Sequence, residues 1–260
     1  MSDKKNSFDR WYESGGWSAP SVKSGKEGGG EDPCLADFKS ESELSSGSAH
    51  FSALSAKFVK VLGSTSAQAV TARELRASGS FRVASDASAC VAHLSGAISI
   101  GNSAYFKSIE ASGSCSIGKA LRAKSARFSG LLTCPSITCD ELIVEGRIEA
   151  KEITSPSVSL KGTGTIEKLN GDVISISGEN QHWTALLMEV IGKKEGGLIV
   201  VDAIKATDRV TLERCDAELV EAPSVNVGKG CRVKRVVYTR NLIVHKTSVV
   251  ESVQGPEGAR

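Results

Sequence analysis

The chain has 260 residues, 40% of them hydrophobic and 5% aromatic, with 32 Lys and Arg against 30 Asp and Glu. So even a charge balance argues against a dedicated nucleic-acid binder, and the longest apolar run, Trp183 to Ile191, is too short to span a bilayer. Seven cysteines form no CxxC pair, and their odd number without a signal peptide points to a soluble protein of a reducing cytoplasm.

Residues 1–42 read as a disordered N-terminal tail, rich in Ser, Gly, Lys and Glu and containing the run Gly28-Gly29-Gly30-Glu31-Asp32-Pro33. Within it, Trp11, Tyr12 and Trp17 form an aromatic cluster. Such a cluster fits either a contact site for membrane or a partner, or a segment that folds back onto the first ordered element.

A glycine then recurs at Gly47, Gly63, Gly79, Gly96, Gly113, Gly130, Gly146, Gly162 and Gly178, at intervals of 16 or 17 residues. A fixed period over nine copies is the mark of a repeat architecture, in which each unit buries its apolar face only against its neighbours. Apolar residues occupy the fourth and second positions before each glycine, as in Val59 and Val61 or Leu142 and Val144, and the second and fourth after it, as in Phe81 and Val83. Alternation of this kind is the period of a half-buried strand. A further column of mostly small residues lies seven before the glycine (Ala56, Ala72, Ala89, Phe106, Ala123, Cys139, Ser155). Its odd offset breaks the parity and marks a corner. Short sides with tight corners predict an all-β fold, a β-helix of about 16–17 residues per coil over residues 43–178, with Gly63, Gly79, Gly96, Gly113, Gly130, Gly146, Gly162 and Gly178 as corner residues. An antiparallel sandwich would rarely keep so strict a spacing. A left-handed helix of hexapeptide type would show a six-residue sub-period, which is absent.

Basic residues share columns on the early coils: Lys57, Arg73, Lys107 and Lys124 in one, Lys60, Arg76, His93 and Arg127 in another. Residues 51–130 carry ten Lys and Arg against three Asp and Glu, net +7, whereas residues 131–190 carry four against nine, net −5. The plain reading is a solvated face that discourages lateral sheet contact. The sharper one is a dock for a polyanion or an anionic membrane through Arg73, Arg76, Lys124 and Arg127.

After Gly178 the pattern breaks, since Asn180 and His182 stand where apolar residues belong. Residues 179–197 read as an interrupting segment whose core, Trp183 to Ile191, suits a short amphipathic helix. Coils resume over 198–250 without the strict glycine, in Val210/Leu212, Val225/Val227 and Leu242/Val244, and residues 251–260 read as a C-terminal tail. No catalytic grouping emerges. His50, His93, His182 and His245 fall in different columns, no phosphate loop occurs, and neither a metal nor a cofactor is implied.

Coils such as Thr138-Cys139-Asp140-Glu141-Leu142-Ile143-Val144-Glu145-Gly146-Arg147-Ile148-Glu149-Ala150, with Val225-Asn226-Val227-Gly228-Lys229-Gly230-Cys231 in the later part, resemble the bactofilin-related, polymer-forming cytoskeletal family over about residues 45–250. The resemblance implies a right-handed, three-sided β-helix that assembles end to end into filaments without a nucleotide. It also implies a cytoplasmic scaffold, in some members at the inner face of the membrane, whose main partner is itself. Independently of the family, a β-helix exposes a strand edge and a slice of core at each end. Phe51, Leu54 and Phe58 are the expected interface residues at one end, and Leu242, Val244, Val249 and Val250 at the other. The alternative is a monomeric β-helical module that holds a polyanion or partner on its basic ridge.

Overall fold

The computed structural model describes residues 38, 40–178 and 198–256, so the expectations for Trp11, Tyr12 and Trp17 and for the segment 179–197 lie outside it. Twelve strands follow one another: β1 (Ser40–Phe51), β2 (Leu54–Ala67), β3 (Val70–Val83), β4 (Ala87–Ile100), β5 (Ala104–Ile117), β6 (Ala120–Thr133), β7 (Ser136–Thr154), β8 (Ser157–Gly178), β9 (Ile199–Glu213), β10 (Cys215–Val227), β11 (Arg232–Val244) and β12 (Val249–Gln254). They form one sheet in sequence order, and no described residue is helical. Parallel neighbours ordinarily need a long crossover. Here each strand bends through nearly a whole coil and is followed by its neighbour, so the coil itself is the crossover. This is a β-solenoid. Its strands begin at Ser40, slightly before the expected boundary at residue 43, and β12 runs to Gln254, so residues 251–254 are strand rather than tail.

The described chain divides into two compact units, one ending at Arg127 and including Thr138–Asp140, the other comprising Phe128–Ile137 and residues from Glu141 on. In the first unit the pairing Val59↔Leu75↔Ala92↔Ile109 follows the fourth-before-glycine column, and Val61↔Ala77↔Leu94↔Ala111 the second-before column. All eight are buried. Sizes trade within a coil, Ala92 beside Leu94 and Ile109 beside Ala111, as native packing density requires. The corner column is buried too, from Ala56 through Ala123. A further inward column holds Leu54, Val70, Ala87, Ala104 and Leu121, all buried. Coils of 17 residues place the additional one in a turn: residues 84–86 link β3 to β4, where Gln68 and Ala69 suffice between β2 and β3. There Asp86 Oδ1 accepts from Ser103 N at 3.0 Å, and Asn102 Nδ2 donates to Ser85 Oγ at 3.3 Å.

In the second unit the interruption after Gly178 is not a break between two solenoids. Strand β8 pairs directly with β9 in the register Gly164↔Ile199. The separation is 199 − 164 = 35 residues, and removing the 19 residues of 179–197 leaves 16, one ordinary coil. The segment is therefore an insertion into a continuous coil. A variant joining Gly178 to Leu198 is expected to keep the β-type circular dichroism spectrum and to melt within about 4 °C of the full chain, the scale of a 1 kcal/mol change for a domain of this size. Loss of cooperative melting would show that the solenoid depends on the insertion.

The glycine column also continues past Gly178 in a form that composition hid. Ser177 pairs with Glu213, which brings Gly178 beside Arg214. Arg214 has φ 48°, the one non-glycine residue with positive φ among those described, and Gly230 follows one coil later at φ 64°. The arginine holds its left-handed backbone while its Nε donates to Gly178 O at 2.9 Å. Gly47 and the expected corners Gly63 through Gly162 all have positive φ, but Gly178 does not. Its need for glycine has another cause: a Cβ there would lie 2.1 Å from Arg214 O.

Candidate functional site

Of the three places expected to carry function, two lie among the described residues, the basic columns and the solenoid ends. On the basic face, the register Lys60↔Arg76↔His93 is exact, and these three residues line a shallow surface cleft with Leu62 and Ser78. The same column then meets Glu110, which lies 3.4 Å from His93. Arg76 is paired with Glu74 at 2.5 Å, and Lys57 with Glu41 at 2.5 Å. Arg73 and Arg127 are exposed and Lys124 is half-buried. Lys57, Arg76 and His93 are thus met by carboxylates within the face, and exposed ion pairs of this kind are weak and screened by salt.

The cysteines among the described residues carry no reactive arrangement. Cys115, Cys134, Cys139, Cys215 and Cys231 are buried thiols outside any disulfide. Burial pushes the Cys215 thiol well above its ordinary range, with the neighbouring Cys231 adding to it, and burial raises Cys231 as well. Both stay protonated and behave as small hydrophobes. Cys90 differs: it is buried but disulfide-bonded, so the expectation of uniformly reduced cysteines does not extend to it. Among the described residues, no group of three or more His, Cys, Asp or Glu side chains comes together at metal-binding distance.

The ends are more informative, because the last described strand on each side has one neighbour only. At the β12 end, Val250 stands over buried Val233 and Val253 over buried Val236. Strand β12 is short and, among the described residues, pairs with β11 only over Arg232–Val237. There Leu242 and Val244 stand over Val225 and Val227, both fully buried. The four end residues therefore continue core columns into solvent: Val244 is 41% and Val253 50% exposed, and Leu242 and Val250 are half-buried. Val249 was grouped with them but pairs with exposed Arg232 and points outward. Val253 was missed, although it continues the column of Val220 and Val236.

The β1 end has different chemistry. The inward positions above Ala56, Val59, Val61, Thr65 and Ala67 are Ser40, Glu43, Ser45, Ala49 and Phe51. Ser40 Oγ donates to Glu43 Oε1 at 3.2 Å, and the hydroxyls of Ser45 and Thr65 share a hydrogen bond of 3.2 Å. Polar side chains that bond to one another and to the coil beneath can close a core against water. Of the residues expected at this end, Phe51 is half-buried on β1. Leu54 and Phe58 lie one strand in, on β2, with Leu54 buried and Phe58 49% exposed on the outer face. The missed residues, Glu43 and Ser45, occupy the fourth and second positions before Gly47, the columns that are apolar everywhere else in the first unit.

One end is thus an apolar slice with a free strand edge, and the other is a layer of hydrogen-bonded polar groups. Set against known proteins, the chain matches no family model, no curated protein and no solved structure.

Proposed function

We propose that this chain is a non-enzymatic structural scaffold that self-assembles through the end of its solenoid, as its resemblance to the bactofilin-related polymer-forming family implies. The right-handed, three-sided winding and the filaments of that family belong to the same reading. The observation that carries it is the uncovered β12 end, where core columns emerge into water beside an unpaired strand edge. An exposed apolar edge of this kind is a template for another chain unless it is blunted. A bulge of β11 between Tyr238 and Asn241 comes just before Leu242–Val244, and within that stretch no Pro or inward charge among the described residues blunts it. Sedimentation equilibrium of the full chain is expected to show mass rising with concentration. A monomer at every concentration would defeat the reading. The basic face supports the alternative of a polyanion-binding module through the alignment of Lys60, Arg76 and His93, but Glu74 and Glu110 counter it.

A further inference from the structure

We infer that Cys34 and Cys90 form a disulfide that straps the chain before β1 across the outer face of the first coils, and that small thiols open it. Five of the seven cysteines, Cys115, Cys134, Cys139, Cys215 and Cys231, stand outside any disulfide, whereas Cys90 stands in one. The partner that remains is the seventh, Cys34, which lies outside the described residues.

The reach is sufficient within one chain. Ser40 begins a column that runs Ser40↔Ala56↔Ala72↔Ala89, and Cys90 is the next residue along β4, three strands from β1. Neighbouring strands lie about 4.8 Å apart, so the span along the stack is about 14 Å. Cys34 stands six residues before Ser40, and six extended residues cover about 20 Å. A chain that enters β1 at this column can therefore arrive along the outside of β2 and β3.

Two features of the face suit such an occupant. Ser88 and Cys90 are only 2% and 6% exposed, although Ala87 and Ala89 beside them hold the inward positions. Their counterparts on the adjacent strands are more open: Thr71 and Tyr105 are half-buried, and Arg73 and Lys107 are exposed. Charge is the second feature. Cys90 falls between Arg73 and Lys107 in the basic column that also holds Lys57 and Lys124, and Cys34 has Glu31, Asp32 and Asp37 around it in sequence. Carboxylates of the strap thus meet cations beside its anchor. In a reducing compartment such a bond is transient, so the strap responds to the thiol pool. Opening consumes two small thiols. The first attacks one sulfur and expels the other as a thiolate; the second attacks the mixed disulfide, leaving two protonated cysteines and one small disulfide. Closing is the reverse, with the small disulfide as oxidant.

The test is tryptic mapping of the full chain after equilibration with oxidised or with reduced glutathione, remaining thiols then being alkylated in denaturant. With oxidised glutathione, residues 27–39 should emerge joined to residues 83–107, the peptides that carry Cys34 and Cys90. With reduced glutathione the two should emerge apart, each alkylated. Reduction should lower the melting temperature by about 5–10 °C, the scale set by a disulfide that closes a long loop in a domain of this size. Cys34→Ser should melt at the lower temperature under both conditions. Cys34 and Cys90 alkylated, or each joined to glutathione, in the oxidised sample would overturn the strap. So would joined peptides that combine isotopically light and heavy chains from a mixed sample, or a bond whose reduction leaves melting unchanged.

Discussion

Gly113→Ala is expected to destabilise the solenoid by about 3 kcal/mol or more, whereas Gly47→Ala should cost about 1–2 kcal/mol, the strain of a left-handed backbone alone. The two positions share a conformation, with φ 99° and 85°. They differ in what lies beneath. A Cβ on Gly113 would sit 2.5 Å from Gly96 O, a backbone atom that cannot turn aside, while nothing lies within 4 Å of the same position on Gly47. To relieve the clash, neighbouring coils must separate, and that loosens the ladder in both directions along a nearest-neighbour stack. Urea unfolding of the two variants beside the parent measures the difference directly. Equal losses would mean that the close approach of coils contributes little and that backbone strain explains the glycines by itself.

Val244→Asp is expected to weaken self-association by about 100-fold or more, equivalent to about 3 kcal/mol, because it places an unpaired carboxylate on the apolar slice. Stability of the single chain should hardly change, since Val244 is 41% exposed and no strand among the described residues covers it. Sedimentation and thermal melting together make the distinction. A core residue would lower both association and melting temperature, an interface residue only the first. Phe58→Ser is the natural control: Phe58 is 49% exposed on the outer face of β2 and should leave association untouched.

The repeat was legible in the sequence because the constraint behind it is strict. A position that needs positive φ and also a carbonyl oxygen within 2.5 Å of the absent Cβ accepts glycine almost alone, so the period survives wherever the coil does. The inward columns were legible for a similar reason, since β geometry sends alternate residues to the core. The inward column of Leu54, Val70 and Ala87 stands nine before each glycine and two before the corner column, so it was readable from the same spacing and was passed over.

The continuity past Gly178 escaped notice for two physical reasons. An insertion displaces the pattern by 19 residues without disturbing the register on either side. The next member of the column is then Arg214, a residue type that bears positive φ at a cost and here gains a hydrogen bond to Gly178 O. At the ends, the parity of β12 had to be known before Val250 and Val253 could be told from Val249. The polar β1 end, by contrast, was written in the columns: Glu43 and Ser45 interrupt two runs of apolar residues at the point where the stack needs closing.

Amide hydrogen exchange on residues 241–244 and 249–254, followed against protein concentration, tests the scaffold reading at the surface that carries it. Along each edge strand alternate amides bond the coil beneath, as Val249 N does to Cys231 O at 3.0 Å, and the others face out from the free edge, so in a lone chain it is these that exchange quickly. The account predicts that they become protected as concentration rises, while amides of β5, inside the stack, keep their rates. Protection that is the same at every concentration would contradict the claim that the β12 end is where this molecule meets another.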